Sequence, residues 1–503
     1  MLKASAIVHR DFRIASIDPR LYSSFLEHLG RAIYGGIYEP GHATADEDGF
    51  RRDVIDLVRD LDTPYCRYPG GNFVSAYNWE DGVGPRSERP VRLDLAWRTR
   101  ESNQIGVNEF VDWCKKANTK PMLAVNLGSR GLDAARNFLE YCNHPGGTYW
   151  SDLRRKHGWT NPHDVKLWCL GNEMDGPWQV GHKSAYEYGR LADETAKAMR
   201  GFDKSLELVV CGSSHSDMKT YPDWEAQVLE QCYDSADHIS LHMYFANREK
   251  NTLNYLARPT KLDRYITTIG GVIDYVKAKK RSKKTIGISF DEWNVWYHSN
   301  QQDKDILARN EWPDAPHLLE DIYNFEDVLQ VGSILNTFIR RSDRVRIACI
   351  AQLVNVIAPI MTEDGGSAWR QTTYYPLYFA SKYGRGSALQ VLADGPTYDC
   401  DEANDVPYLD ASAVLSDDGK ELTFFVVNRH PDTALDFDAR LDGFAGARVV
   451  EQQEMTHGDL QAVNTAKQPD AVVPVKVDSA KVEDSRLRTA LKPLSYNVIR
   501  LSV

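Results

Sequence analysis

Two glutamates stand at the ends of short apolar runs: Glu173 in WCLGNEMDG (168–176) and Glu292 in ISFDEWNVWY (288–297). Such a pair can cleave a glycosidic bond. One protonated carboxylic acid donates to the leaving oxygen, and one ionised carboxylate attacks the anomeric carbon or activates water. A lone Glu more often caps a helix or pairs with an Arg. Asn172, immediately before Glu173, shifts that balance, because an amide there can hold a sugar hydroxyl beside the acid.

Other polar residues end apolar runs in the same way: Glu27 and His28, Arg67 with Asn72, Asn126, Ser213 to His215, His242 with Tyr244, Asp291, and Gln352 with Asn355. Groups of this kind hold hydroxyls and move protons, as a sugar site requires. Trp79, Trp97, Trp168, Trp178, Trp293, Trp296 and Trp312 lie in or near the same loops. For any single Trp, core packing is as good a reading as stacking on a sugar ring. The loop pair Trp296 and Trp312 is read towards ligand. No metal site is expected: His238 and His242 are four apart on a strand, without the HExxH pattern. His238 is read as a packed or capping histidine, and His242 as lying near the two glutamates. No GxSxG follows a strand, and no GxGxxG supports a dinucleotide fold.

The elements that must position these groups are eight strand-like runs: 23–29, 63–68, 121–127, 165–171, 206–212, 238–244, 285–290 and 346–354. Each is separated from the next by room for a helix. Arg51–Asp62 shows the helical period through Val54, Leu57, Val58 and Leu61. Eight βα units predict an α/β fold, a closed (β/α)8 TIM barrel, with its chemistry at the carboxyl ends of the strands. Strict alternation sets Glu292 on the face of Ile286, Ile288 and Phe290. If that face looks outward, a bulge must turn Glu292 into the mouth. After residue 375 alternating strands replace helices, with a hairpin turn at Asp417-Asp418-Gly419. They predict an antiparallel β-sandwich. The barrel is assigned residues 18–375, and the sandwich residues 1–17 and 376–503. The sandwich is expected to cover the barrel's flank and serve assembly, not sugar capture.

The 503 residues carry 60 basic and 71 acidic side chains, a net charge of −11, with 42% hydrophobic residues. These proportions belong to a globular protein and argue against a nucleic-acid partner. The basic run Lys277–Lys284 is read as a solvated helix end. Eight cysteines, never closer than 21 residues, form no CxxC pair and read as buried thiols. No targeting segment or membrane span is visible, so a cytoplasmic, membrane-free protein is expected.

Read with their neighbours, these residues resemble the α-L-arabinofuranosidases of glycoside hydrolase family 51, from about Ser24 to the C-terminus. The matching stretches are FLEHLGRAIYGGIYEP (25–40), RYPGGNFVSAYNWEDGVGP (67–85), LGNEMDGPWQVGHK (170–183), ISLHMYF (239–245), DEWNVWY (291–297) and AQLVNVIAPI (351–360). GNE alone is shared by a wider clan of retaining barrel glycosidases; the first two stretches together are far more specific.

The resemblance implies a barrel carrying a C-terminal jelly roll and a retaining, exo-acting enzyme. Such an enzyme releases terminal arabinofuranosyl units from arabinan- or arabinoxylan-derived oligosaccharides without a cofactor. It assigns Glu173 as general acid/base and Glu292 as nucleophile. Glu27, Asn72, Asn172 and Gln352 would bind the arabinose hydroxyls, and Tyr244 would hydrogen-bond the nucleophile. Trp97 would pack the pocket, Trp178 and Trp296 would shape the leaving-group side, and Arg67 would support the nucleophile. Glu173 would owe a raised pKa to the nearby Glu292. A homo-oligomer, a hexamer, follows by family analogy. Three other readings stand beside this one: a barrel cleaving β-glucans or xylans, a non-catalytic sugar-binding barrel, and a metal-dependent hydrolase.

Overall fold

Short stretches of apolar residues, buried on both faces, form the inner wall of the molecule. A computed structural model describes residues 1–309 and 311–503. After an N-terminal strand β1 (Leu2–Ser16) come eight strands: β2 (Ser23–Phe25), β3 (Tyr65–Tyr68), β4 (Lys120–Val125), β5 (Leu167–Leu170), β6 (Glu207–Cys211), β7 (His238–Phe245), β8 (Gly287–Val295) and β9 (Val345–Ala351). Each pairs in parallel with the next, and β9 pairs with β2, closing an eight-stranded barrel. Successive residues alternate between the two sides, as strand geometry demands. Met122, Ala124, Leu167, Cys169, Ile347 and Cys349 fill the interior, whereas Leu123, Val125, Trp168, Leu170, Ile288 and Phe290 pack outward.

All eight expected runs became strands. The one whose extent differs most is β8, which continues five residues beyond Phe290, through Asp291, Glu292 and Trp293 to Val295. The expected helix is Arg52–Leu61, closed by Asp62 in the left-handed conformation. The basic run ends the helix Pro259–Lys280, with Lys279 paired to Glu230 and Lys284 to Asp237.

The C-terminal domain contains β10 (Ser387–Asp394), β11 (Leu409–Leu415), β12 (Glu421–Asn428), β13 (Leu435–Asp442), β14 (Arg448–Met455), β15 (Val475–Lys476), β16 (Lys481–Glu483), β17 (Arg486–Leu491) and β18 (Ser495–Ser502). β11 and β12 form the expected hairpin, with Gly419 at φ +68° in its turn. With β1 these strands hydrogen-bond in the order β15-β14-β18-β12-β11-β10-β1-β13-β17-β16. They fold over a core that includes Ala6, Val8, Leu389, Phe424, Phe437, Leu487 and Ile499. The N-terminal strand lies antiparallel to β10 and parallel to β13, so the chain's first residues belong to its last domain.

The barrel helix Phe325–Arg340 packs against β11 and β12. Asp410 of β11 is buried there, accepting from Arg340 Nη1 at 2.7 Å and paired with Arg429 at 3.0 Å. Seven of the eight cysteines are buried, and Cys400 is half-buried.

Candidate active site

Glu27 leaves the end of β2 and is wrapped by the turn after β3. Its Oε1 accepts from the Phe73 backbone N–H at 2.8 Å and from Trp97 Nε1 at 3.0 Å. Gln352, just past β9, donates to Oε2 at 3.4 Å and accepts from the Glu27 backbone N–H at 2.9 Å. The close wrap needs glycine: a Cβ on Gly71, which sits at φ +23°, would lie 2.3 Å from the Glu27 carboxylate. Burial, then the charge of Glu292, pushes the Glu27 pKa up to about 8, against hydrogen bonds from Phe73 and Trp97 that lower it.

Glu173 follows β5 through Gly171 at φ +94° and itself adopts a left-handed backbone, φ +44°. A side chain in that region costs of order 1 kcal/mol or more, and such strain concentrates at functional sites. Glu173 Oε1 meets His242 Nδ1 at 2.9 Å, and Oε2 accepts from Trp178 Nε1 at 2.8 Å.

Glu292 enters from β8 through the bulge that the sequence reading requires. Ile288 and Phe290 do pack outward, and the register against β7 slips between Ser289 and Glu292. Consecutive residues Asp291 and Glu292 therefore both reach the interior, where Asp291 accepts from His242 and Glu292 from Arg67. The Arg67 bond to Glu292 Oε1 is 2.7 Å, and Tyr244 donates to Oε2 at 2.8 Å. Arg67 also donates to Asn172 Oδ1 at 2.7 Å, and Asn172 donates to Asn72 Oδ1 at 3.2 Å.

His242 bridges the two halves, with Nε2 on Asp291 Oδ1 at 2.8 Å and Nδ1 on Glu173. Burial opposes its charge, but Glu292, Asp291 and Glu173 outweigh that and push its pKa up to about 10. Asp291 is held below the ordinary carboxylate range: burial would raise it, and Arg67 and His242 overcome burial. Glu173 is raised, first by burial and then by Glu292, against the His242 hydrogen bond. The sequence reading credited Glu292 alone; the dry site contributes more.

Glu27, Asn72, Trp97, Glu173, Trp178, Tyr244, Glu292, Trp296 and Gln352 line one cavity of about 780 Å³. Arg67, Asn172 and His242 do not line it but bond the lining residues Glu292, Asn72 and Glu173. Trp312, read towards ligand, is a correction: the Arg98 guanidinium sits over its ring at 5.4 Å and it does not line this cavity. Trp79, Trp168 and Trp293 are core residues. Asn126 and Asn355 tie their own loops, bonding Ser129 and Thr362. His238 is buried and pairs with Glu207 at 3.1 Å. Sequence reasoning left Asp291 without a role, although it precedes Glu292 directly. It also missed the cavity-lining Arg248, Arg258, Lys261 and Glu402, which no motif marks.

Glu173, His242 and Glu292 offer ligand atoms within 4.8 Å of one another, a spacing that could hold a metal ion. Each of their four carboxylate oxygens already has a donor, from His242, Trp178, Arg67 or Tyr244. An ion would have to displace those bonds, so the residues fit a proton-transfer site better than a metal centre.

Known proteins resemble this chain over nearly its whole length. The chain matches the model of the α-L-arabinofuranosidase 1 domain over residues 57–265 and that of the α-L-arabinofuranosidase C-terminal domain over 291–495. It is 57% identical to the intracellular exo-α-(1→5)-L-arabinofuranosidase of Halalkalibacterium halodurans, over 99% of both chains. It is 56% identical to intracellular exo-α-(1→5)-L-arabinofuranosidase 1 of Bacillus subtilis, over 100% of this chain and 99% of that one. A solved family 51 α-L-arabinofuranosidase from Bifidobacterium longum superposes with a TM-score of 0.95 at 43% identity, covering 99% of each chain.

Proposed function

This chain belongs to the α-L-arabinofuranosidases of glycoside hydrolase family 51, and from that membership we propose how its cavity acts. It releases terminal α-L-arabinofuranosyl units from short arabino-oligosaccharides by a retaining double displacement. The observation that carries this reading is a proton-poised Glu173 and an Arg67- and Tyr244-bonded Glu292, with oxygens within 4.8 Å of each other. Retaining enzymes hold their carboxyls at about 5–5.5 Å, whereas inverting enzymes keep about 6.5–9.5 Å for a water between them.

Arg67 and Tyr244 fix and aim the Glu292 carboxylate. Glu292 attacks the anomeric carbon, forming a glycosyl ester as the glycosidic C–O bond breaks. His242 bonds Glu173 Oε1, and Oε2, which also accepts from Trp178 Nε1, carries the proton given to the leaving oxygen. Forming the ester removes the charge of Glu292, and with it one cause of the raised Glu173 pKa. Glu173, now ionised, takes a proton from water, which attacks the ester and frees arabinose with its configuration retained. Glu27, Asn72 and Gln352, with Asn172 behind them, hold the ring hydroxyls. Trp97 closes that end, and Trp178 and Trp296 flank the leaving group.

Residues 18–375 form the barrel unit, and 1–17 with 376–503 the sandwich. The relatives named intracellular support a cytoplasmic enzyme fed with imported oligosaccharides, and family analogy supports a homo-oligomer, a hexamer, that sedimentation would reveal. The reading is tested by hydrolysis of a chromogenic α-L-arabinofuranoside beside β-xyloside, β-glucoside and β-glucan. Turnover of the arabinofuranoside alone is expected. Turnover of the β-glucan alone would overturn the arabinose pocket.

A further inference from the structure

Liquid water takes about 30 Å³ per molecule, so a pentosyl unit of ~9 heavy atoms fills no more than roughly 270 Å³. The 780 Å³ cavity therefore has room well beyond one sugar. Part of that room is lined by the neighbours of Glu173. Trp178, bonded to Glu173, has its ring parallel to that of His215, with centroids 6.2 Å apart. Asp217 follows and accepts both contacts of Lys261 at 2.7 Å. Arg258 and Glu402 line the same cavity.

Glu402 belongs to the C-terminal domain. It sits in the segment between β10 and β11, which is built as a fixed arm. Tyr398 and Val406 pack on Ala257, and the Tyr398 hydroxyl donates to the Leu253 carbonyl at 3.0 Å. Thr397–Tyr398 and Val406–Pro407 pair as a small hairpin, and Asn254 Oδ1 accepts the Glu402 backbone N–H at 2.8 Å. The Glu402 carboxylate is one-fifth exposed and has Arg264 Nη2 at 3.3 Å on one oxygen, Oε1. Its second oxygen has no hydrogen-bond donor among the described residues.

We propose that Glu402 is a specificity residue: it accepts a hydroxyl of the second sugar of the leaving group, so that the sandwich domain reads substrate length. The proposal rests on Glu173 protonating the leaving oxygen, because the leaving group then departs along the wall that begins at Glu173. It replaces the expectation that the sandwich takes no part in sugar capture.

The test compares kcat/KM for α-1,5-linked arabinotriose and arabinobiose. The triose, cleaved at its non-reducing end, places a second leaving-group sugar at this wall; the biose does not. In Glu402→Ala the triose-to-biose ratio of kcat/KM is expected to fall about fivefold, as loss of one hydrogen bond does. Glu402→Gln, which keeps an acceptor oxygen, is expected to hold the ratio within about twofold of the wild type. A wild type that cleaves both sugars and a Glu402→Ala ratio that does not change overturn this proposal alone. A wild type that cleaves neither overturns the reading of short α-1,5-linked arabino-oligosaccharides as the substrate, and this proposal with it.

Discussion

At the scale of single residues, the account turns on who holds each carboxylate oxygen. His242 has the clearest pH signature, because its pKa is raised from 6.5 to about 10 by the anions around it, despite burial. A raised folded-state pKa contributes stability that is complete below about pH 6.5 and is lost as the pH climbs through about 10. Wild type is therefore expected to lose melting temperature over that window more steeply than His242→Gln, measured side by side by calorimetry. Gly71 gives a steric prediction. A Cβ there meets the Glu27 carboxylate at 2.3–2.6 Å, so Gly71→Ala is expected to lower kcat/KM at least about tenfold by displacing it. Gly41→Ala, where a Cβ meets nothing within 4 Å, serves as the control and keeps wild-type kinetics.

At the scale of elements, the bulge in β8 and the joint between domains do the positioning. Alternation alone would leave Glu292 outside with Ile288 and Phe290; the slipped register brings it in behind Asp291. The joint is the helix Phe325–Arg340 against β11, tied by Asp410. Asp410 is held below the ordinary carboxylate range: burial opposes its charge and is outweighed by Arg340 and Arg429. Asp410→Ala would leave Arg429 buried without its carboxylate, so a loss of about 3 kcal/mol in denaturant unfolding is expected. Removing the exposed Arg440–Asp442 pair is expected to cost less than about 1 kcal/mol.

At the scale of the whole molecule, the chain closes on itself, since β1 lies between β10 and β13 in the middle of the C-terminal sheet. Deleting residues 2–16 would expose both neighbours as unpaired edges, and the expected result is a protein that aggregates on expression. The barrel was legible in the sequence because strands buried on both faces read as continuous apolar runs such as LAV and LWCL. Glu173 and Glu292 were legible as a candidate pair because they end such runs, Glu173 beside Asn172. Other features were hidden. β13, with its sequence LDFDARLD, does alternate buried Leu435, Phe437, Ala439 and Leu441, but its outward Asp residues are poor strand formers that mask the pattern. Trp312 was misplaced because a loop Trp shows no sign of the Arg98 that covers it. Glu402 was invisible because only tertiary folding brings that arm of the second domain to the cavity.

The most direct test of the double displacement is azide rescue of Glu173→Ala on an activated aryl α-L-arabinofuranoside. The variant should form the ester with Glu292 and then stall, because no base activates water; azide needs no base. The expected result is turnover restored by azide, yielding α-L-arabinofuranosyl azide by proton NMR, whereas azide acting on Glu292→Ala by a single displacement can give only the inverted β-azide. A β-configured azide from Glu173→Ala, or an α-configured azide from Glu292→Ala, would contradict the assignment of nucleophile and acid.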